Sequence, residues 1–345
     1  MATDAYDHAA ICELLGAWAL RALPPAEEHT VPEHLATCAQ CAAEAERLRE
    51  TVRLLDGPGQ APDPAPPTAG DDTLARVLAA RPAVPRTAPH AEPYAAAVAA
   101  LQALIAEFDA DVWRTPVVHD WTVQDTIAHL IAADEHLAVH LGLPANEPPP
   151  GPATPGGTGW RTAWATRTHR VIAHERTRAP RDTVAVWRAQ AAALLATPAA
   201  HDPETAALPV TVVGARLPVA DHFLVRGFEA WIHADDIGRA LGRTVPPPPA
   251  AHLWRLVRLA VRIVGLALGP AAETVALTVT DAGRSTEWIL GAEGEPVCGE
   301  LTMTAVDFCL LVGGRVAPHT VPMAARGDHA AVHAVLGKAA RLAWL

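Results

Sequence analysis

The chain has 345 residues, more than one ordinary domain, and its length predicts two or three domains. Half of its residues are hydrophobic and 19% are charged, a balance that excludes a disordered chain. The net charge of −11 argues against direct binding to nucleic acid or to an anionic membrane surface.

Two rare residue types disfavour further classes of enzyme. Ser285 is the only serine and Lys338 is the only lysine. Because Ala339 follows Lys338, the chain has no phosphate-binding loop that ends in Gly-Lys-Ser/Thr. Ser285 ends the turn-like stretch Asp281–Ser285, which is a poor position for a serine nucleophile.

The sequence also predicts where the protein is found. Its start is acidic and has no basic leader before an apolar run, so we expect no signal peptide. The most apolar stretch, Leu253–Leu268, contains three arginines at helical spacing and predicts an amphipathic helix instead of a membrane span. Five scattered cysteines are too few for a disulfide scaffold. We therefore expect a cytoplasmic protein with no membrane partner.

The first predicted domain is small and helical, and it covers residues 1–82. Its hydrophobic periodicity predicts helices over Ala9–Leu23, Ala26–Leu35 and Ala39–Leu55. A further short helix, Asp71–Ala80, lies between two proline-rich stretches. We expect residues 83–92 to form the linker to the next domain.

The second predicted domain covers residues 93–245. Four long helices are predicted: Ala91–Phe108, Thr122–Leu141, Trp160–Thr177 with Asp182–Leu195 as its continuation, and Pro218–Leu241. Thr122 is a candidate N-cap, with Asp125 placed as in a capping box. The pattern favours a four-helix bundle, and such bundles often hold metal ions in their cores.

The third predicted domain covers residues 250–345 and mixes both kinds of element. Strands are predicted over Thr274–Thr280 and Thr286–Leu290, and helices near Thr304–Leu311 and His329–Leu336 follow the amphipathic helix. This order predicts a small α+β domain.

The strongest motif lies in the first domain. His34, Cys38 and Cys41 have the H-x3-C-x2-C spacing that brings one imidazole and two thiolates to a tetrahedral Zn²⁺. His8 and Cys12 lie one helical turn apart and are the candidates for the fourth ligand. The alternative is two buried cysteines beside an unrelated histidine.

With its leading histidine and the Leu14–Pro24 segment, this region resembles the zinc-containing anti-sigma family over about residues 1–80. The resemblance implies a structural zinc and, as partner of residues 1–82, an extracytoplasmic-function sigma factor. By the family's spacing, His8 aligns better than Cys12 as the fourth ligand. A ligating Cys12 would permit redox release, whereas inert packing is the other role considered for it.

A second constellation lies in the predicted bundle. Glu229 and His233, at positions i and i+4, project from one face of a helix, and His129 on another helix completes a His-Glu-His set. Such a set leaves coordination positions open for water or a thiol. The alternative is a surface Glu/His pair with His129 in the core. Asp235 and Asp236 are candidates for a hydrogen bond to a ligand imidazole or for solvation at the helix end.

Two motifs contain these residues: Trp121-Thr-x5-Ala-His129-Leu and Glu229-x3-His233-x2-Asp-x-Gly. With these motifs the chain resembles the DinB-like, mycothiol-dependent maleylpyruvate isomerase family over about residues 91–345. The resemblance implies that His129, Glu229 and His233 are the metal ligands and the catalytic centre. The metal would be zinc or another divalent cation, and the cofactor would be mycothiol. The expected fold is mainly α: a small zinc-bound helical domain, a DinB-like four-helix bundle and a small C-terminal α+β domain.

Two functions follow from the two resemblances. The first is a mycothiol-dependent isomerase or S-transferase, acting on a small electrophilic substrate and carrying an N-terminal regulatory module. The second is an anti-sigma regulator in which the DinB-like domain serves as a sensor.

Overall fold

The computed structural model describes residues 8–20, 22–23, 27, 29–55, 86–149 and 159–342. The chain divides into two compact units, Met1–Ala80 and Arg81–Leu345. The predicted helix Asp71–Ala80 lies outside the described residues. The predicted boundary between the second and third domains, at residues 245–250, falls inside the second unit and stays a prediction.

The first unit contains three described helices: α1 (His8–Ala19), α2 (Thr30–Leu35) and α3 (Ala39–Leu55). Their small core includes Ile11, Leu15, Val31 and Cys41. The second predicted helix, Ala26–Leu35, begins at Thr30 in the structure, and Ala26 itself lies outside the described residues. Because the ring of Pro32 clashes with the carbonyl four residues earlier, a helix through Pro32 cannot extend far in the N-terminal direction.

The second unit begins with a helical bundle. Its helices are α4 (Glu92–Ile105), α5 (Val123–His140), α6 (Trp160–Glu175), α7 (Pro180–Leu195), the short α8 (Pro203–Ala206) and α9 (Val219–Ala240). α4 packs against α9, and α5 contacts α6, α7 and α9. The largest fully buried side chains of this core include Trp187, Tyr94 and Phe223.

The predicted continuation of the third helix through Asp182–Leu195 was wrong, because α6 and α7 are separate helices. Pro180 is at the first turn of α7. Proline lacks a backbone N–H and fits the start of a helix, whereas inside a helix it removes a hydrogen bond and causes a clash. The helical periodicity of the sequence therefore continues across a point where the helix itself is interrupted.

Two short hairpins in the bundle were not predicted. β1 (Pro116–Val118) pairs with β2 (Trp121–Thr122), and β3 (Pro209–Val212) pairs with β4 (Ala215–Pro218), both antiparallel. The first hairpin leads directly into α5 and the second into α9. Each hairpin therefore fixes the start of a helix that carries a candidate metal ligand.

The C-terminal part mixes helices with a sheet, as predicted. Its helices are α10 (Ala250–Leu268), α11 (Ala305–Val312) and α12 (His329–Ala340). The strands are β5 (Val275–Asp281), β6 (Arg284–Leu290), β7 (Gly299–Thr304) and β8 (Ala324–Gly327), in the order β6-β5-β7-β8. β5 and β7 are parallel, and the other two pairs are antiparallel. Strands β7 and β8 were not predicted.

The core of this part includes Trp254, Phe308, Leu277 and Leu301, and it also contains residues of α9 such as Trp231. Ser285, expected in a turn, lies in β6, and the turn is formed by Ala282 and Gly283. Among the described residues, no helix has the length and apolar character that crossing a membrane requires. The expectation of a mainly α fold with a C-terminal sheet is confirmed.

Candidate metal centres

The first candidate centre lies where the three helices of the first unit meet. His8 begins α1, His34 lies in α2, and Cys38 precedes α3, whose first turn contains Cys41. Each of these four residues offers a ligand atom, and the four atoms lie within 4.8 Å of one another. Two imidazoles and two thiols are a donor set typical of structural zinc.

Individual distances show which atom of His8 faces the thiols. Nδ1 of His8 lies 3.5 Å from Sγ of Cys41 and 3.7 Å from Sγ of Cys38. Its other nitrogen, Nε2, lies 3.7 Å from Sγ of Cys12. Cys12 is exposed, and its Sγ lies 3.7 Å from that of Cys41. Cys12 therefore contacts two members of the four-residue cluster without belonging to it.

The two clustered cysteines differ in acidity. Hydrogen bonding from the backbone N–H of Cys41 lowers the pKa of the Cys38 thiol, since Cys38 lies just before the start of α3. Burial, together with the neighbouring thiols of Cys12 and Cys38, raises the pKa of Cys41 to about 12. A cation bound between the two thiols would favour their deprotonated forms and hold both as thiolates.

The second candidate centre joins two long helices of the bundle. His129 lies in α5, and Glu229 and His233 lie one turn apart in α9. The side chains of all three are at most 1% exposed, and one ligand atom from each lies within 4.8 Å of the others. Nε2 of His129 lies 3.1 Å from Oε1 of Glu229. The three sequence-predicted ligands are thus brought together inside the protein.

Local sequence fixes the start of the helix that carries His129. The hydroxyl of Thr122 accepts a hydrogen bond from the backbone N–H of Asp125, and the Asp125 carboxylate accepts one from the N–H of Thr122. This is the capping box indicated by the sequence. Arg176 also donates to Asp125, at 2.8 Å, and connects α5 to the end of α6.

A carboxylate and an arginine orient His233. Nδ1 of His233 lies 3.1 Å from Oδ2 of Asp236, which places the donated proton on Nδ1 and leaves the lone pair on Nε2. Arg315, which follows α11, donates from Nε to Oδ1 of Asp236 at 3.0 Å. Asp236 thus hydrogen-bonds a candidate ligand imidazole, whereas Asp235 pairs with Arg239.

Burial and nearby charges give Glu229 and His233, the two candidate ligands in α9, the protonation states that bind a cation at neutral pH. Burial lowers the pKa of His233 to about 4, so its imidazole is neutral. Burial alone would raise the pKa of Glu229, but the charge of Arg226 and the hydrogen bond that the carboxylate accepts from His129 lower it to about 2. Arg226 forms an ion pair with Oε2 of Glu229 in the interior. A neutral imidazole and an ionised carboxylate are the forms that bind metals.

Two half-buried tryptophans flank the centre. The ring of Trp121, from β2, lies 4.7 Å from that of His129 and 6.4 Å from that of His233, centre to centre. Trp164, from α6, lies 6.0 Å from His129 and stacks on His136 at 5.1 Å. The ligands therefore lie beside apolar aromatic walls, which keep water away and strengthen electrostatic interactions.

One observation tests whether these residues fit a metal ion. Nε2 of His233 is buried and has no hydrogen-bond partner among the described residues. A buried polar atom without a partner costs free energy, so such atoms are rare. A cation within reach of this lone pair, of the Glu229 carboxylate and of His129 would satisfy it. The donor set suits zinc or another divalent transition metal.

Sequence reasoning missed Arg226 and Arg315. Arg226 lies three residues before Glu229, at a spacing that permits an ion pair on a helix, so a signal was present. Arg315 acts from 79 residues beyond Asp236 along the chain, and no local pattern connects the two.

Two family models match parts of the chain that contain members of these two centres. Residues 94–238 match the family model described as mycothiol maleylpyruvate isomerase N-terminal domain. Residues 9–42 match the model described as putative zinc-finger. The first match contains His129, Glu229 and His233, and the second contains His34, Cys38 and Cys41. No curated protein matches the chain.

Two solved structures resemble the chain. They are the mycothiol-dependent maleylpyruvate isomerase, with a TM-score of 0.48, and a histidine-to-alanine mutant of that enzyme, with a TM-score of 0.47. Each is 16% identical, and each alignment covers 69% of this chain and 92% of that chain. Over residues 94–238 the chain is thus similar to mycothiol maleylpyruvate isomerase N-terminal domains, and over residues 9–42 it is similar to a putative zinc-finger.

Proposed function

We propose that the second unit is a thiol-dependent metalloenzyme whose metal ligands are His129, Glu229 and His233. The observation that carries the proposal is that these three buried side chains bring their ligand atoms within 4.8 Å of one another. In addition, the lone pair of His233 Nε2 has no partner among the described residues. Three protein ligands are typical of catalytic centres, because a fourth position remains open to the reactants.

A divalent cation, zinc or another, would supply Lewis acidity that lowers the pKa of a thiol toward neutrality. The chain itself does the rest. Asp236 and Arg315 orient His233, Arg226 holds the carboxylate of Glu229, and the walls of Trp121 and Trp164 exclude water. No serine or lysine base is needed, which agrees with the scarcity of both residues.

The family match favours mycothiol as the thiol and a small electrophile as the substrate. An electrophilic double bond conjugated to a carbonyl accepts a thiolate at its distal carbon, and the resulting single bond can rotate. Loss of the thiolate then gives isomerisation, and protonation gives a stable adduct. We propose an isomerase or an S-transferase on this basis. A free thiol cofactor requires a reducing compartment, so we also propose the cytoplasm as its location.

Turnover measurements test this proposal. Purified full-length protein, loaded with zinc, is assayed with maleylpyruvate and with and without mycothiol. We expect turnover only with the thiol, and its loss in His129→Ala. The matched control is His140→Ala, which changes an exposed histidine at the end of the same helix. Thiol-dependent turnover that survives His129→Ala would contradict the proposal.

A second function is favoured by the zinc-finger match and the four-residue cluster of the first unit. We propose that residues 1–82 hold a structural zinc and bind a sigma factor, so that the bundle acts either as an enzyme under regulation or as a sensor. The test is co-purification with a co-expressed extracytoplasmic-function sigma factor under reducing, zinc-replete conditions. We expect a complex that is lost in Cys38→Ser and retained in Cys298→Ser, and the absence of a complex with the unsubstituted chain would contradict it.

A further inference from the structure

The two oxygens of the Glu229 carboxylate face different partners. Oε1 lies 3.1 Å from Nε2 of His129, the candidate ligand on α5. Oε2 forms an ion pair with Nη1 of Arg226, which lies three residues earlier on α9. The side chain of Glu229 is fully buried and that of Arg226 is 7% exposed, so little water competes for either charge. The carboxylate is therefore shared between the candidate metal centre and an arginine.

The guanidinium of Arg226 also has a contact on α6. Its central carbon lies 5.8 Å from the centre of the Trp164 ring, at the distance of a cation–π contact. Moving this group away from Glu229 would leave two opposite charges unpaired in the interior, which is strongly destabilising. We therefore expect the ion pair to persist when a cation binds at the centre.

A second buried carboxyl lies within the field of Arg226 but is engaged elsewhere. Burial raises the pKa of Asp134 to about 7, although the charge of Arg226 opposes this effect. Oδ2 of Asp134 accepts a hydrogen bond from the hydroxyl of Tyr94 at 2.7 Å. Among the described residues, the carboxylate that forms an ion pair with Arg226 is that of Glu229.

This sharing limits how Glu229 can coordinate a metal. A carboxylate binds a metal ion through one oxygen or through both. With Oε2 engaged by the guanidinium, Oε1 is the oxygen that remains available beside His129. The centre would then receive three donor atoms from His129, Glu229 and His233 instead of four. Three protein donors leave one position of a tetrahedral site open, as in catalytic centres.

We propose that Arg226 is a positioning residue that restricts Glu229 to one metal-binding oxygen and thereby keeps a coordination position open for a thiol. This inference rests on the metal centre proposed above and goes beyond it. An arginine that served only to neutralise the charge of Glu229 would not change the number of donor atoms. Without Arg226, Oε2 is free to turn toward the cation and fill the open position.

Cobalt(II) in place of zinc reports the number of donor atoms, because its visible absorption is strongest in four-coordinate sites and weakens as further donors bind. The full chain is loaded with cobalt, and the spectrum of His129→Ala is subtracted to remove the contribution of the first centre. Arg226→Met removes the cation, and Arg226→Lys keeps it. The matched control is Arg239→Met, which changes a more exposed arginine that pairs with Asp235 on the same helix.

We expect the visible absorption per bound cobalt to fall about two- to fivefold in Arg226→Met and to change by less than about a fifth in Arg226→Lys and Arg239→Met. An unchanged spectrum in Arg226→Met, with cobalt still bound, would overturn the proposal. An equal fall in Arg226→Lys would also overturn it. So would loss of cobalt from a normally folded Arg226→Met chain, since all three ligands are still present.

Infrared spectroscopy gives a second test that does not depend on how Arg226→Met folds. The symmetric and antisymmetric stretches of a carboxylate are widely separated when one oxygen binds a metal and close together when both bind. The difference spectrum of the unsubstituted chain with and without zinc should show the wide separation, in bands that Glu229→Gln removes. A narrow separation would overturn the proposal.

Added 2-mercaptoethanol separates this inference from the proposed function. A thiolate on cobalt gives a charge-transfer band in the near ultraviolet, which we expect at the second centre of the unsubstituted chain. If that band were absent while Arg226→Met still weakened the visible absorption, the thiol chemistry would be contradicted and the role of Arg226 supported. If the unsubstituted chain bound no more cobalt than His129→Ala, both would be contradicted.

Discussion

Arg315 and His233 are joined through one carboxylate. Nε of Arg315 donates to Oδ1 of Asp236 at 3.0 Å, while Oδ2 of the same group accepts from Nδ1 of His233 at 3.1 Å. The arginine follows α11 in the C-terminal part, whereas the histidine lies in the bundle. The orientation of a candidate metal ligand thus depends on a residue outside the matched domain at residues 94–238.

Removal of Arg315 should weaken metal binding without removing a ligand. Partners that orient a ligating histidine typically contribute about 10–100-fold to metal affinity. We expect Arg315→Ala to lose affinity for Zn²⁺ within this range at the second centre, as measured against a competing chelator. Arg239→Ala, which breaks the more exposed pair with Asp235, is the control. Equal affinity in both variants would show that Arg315 does not support His233.

Replacement of Thr122 should destabilise α5. Its hydroxyl caps the helix, and loss of such a cap costs about 0.5–2 kcal/mol. We expect Thr122→Ala to lower the free energy of unfolding by about 1 kcal/mol in chemical denaturation. Thr162→Ala, at an exposed position of α6, should change it little. A similar stability of the two variants would contradict the capping role.

The buried carboxyl of Asp134 should make stability depend on pH. Burial raises its pKa from 3.8 to about 7, against the opposing effects of the Arg226 charge and the hydrogen bond from Tyr94. Between about pH 4 and pH 7 the folded state therefore binds more protons than the unfolded state, and stability falls as the pH rises.

Asp134→Asn removes this titration but keeps an acceptor for Tyr94. Both proteins are compared without metal. The unfolding free energy of the variant minus that of the unsubstituted protein should rise by on the order of 2–4 kcal/mol from pH 4 to pH 7. Denaturation curves at several pH values measure the difference. A constant difference across this range would mean that Asp134 is already ionised in the folded state.

The two candidates for the fourth zinc ligand of the first unit can be separated. His8 belongs to the four-residue cluster and Cys12 does not, although Cys12 lies nearby. We expect Cys12→Ser to keep the structural zinc and His8→Ala to lose it, with a loss of helical signal because small zinc domains depend on their metal. Zinc content and circular dichroism of the full chain measure both effects. Zinc loss in Cys12→Ser alone would reverse the assignment.

Sequence patterns were most informative where they were local. The capping box at Thr122 and the periodicity of α5 and α9 could be read directly, and the spacing of Glu229 and His233 placed both on one helix face. The hairpins were not predicted because their turns lack the usual Asn-Gly signal: His119 and Asp120 have positive φ angles of 54° and 62°, and Val213 has one of 52°.

Relations between distant residues could not be predicted in the same way. The pairing of Arg315 with Asp236 depends on how the C-terminal part packs against α9, which no periodicity encodes.

Metal content per chain tests the central proposal most directly. The protein is dialysed first against buffer that contains zinc and then against zinc-free buffer. Its metal content is measured by elemental mass spectrometry. Two equivalents are predicted for the unsubstituted chain, and one equivalent each for His129→Ala and for Cys38→Ser, because each substitution removes one centre. If His129→Ala retained as much metal as the unsubstituted chain, the meeting of His129, Glu229 and His233 would not be a metal site.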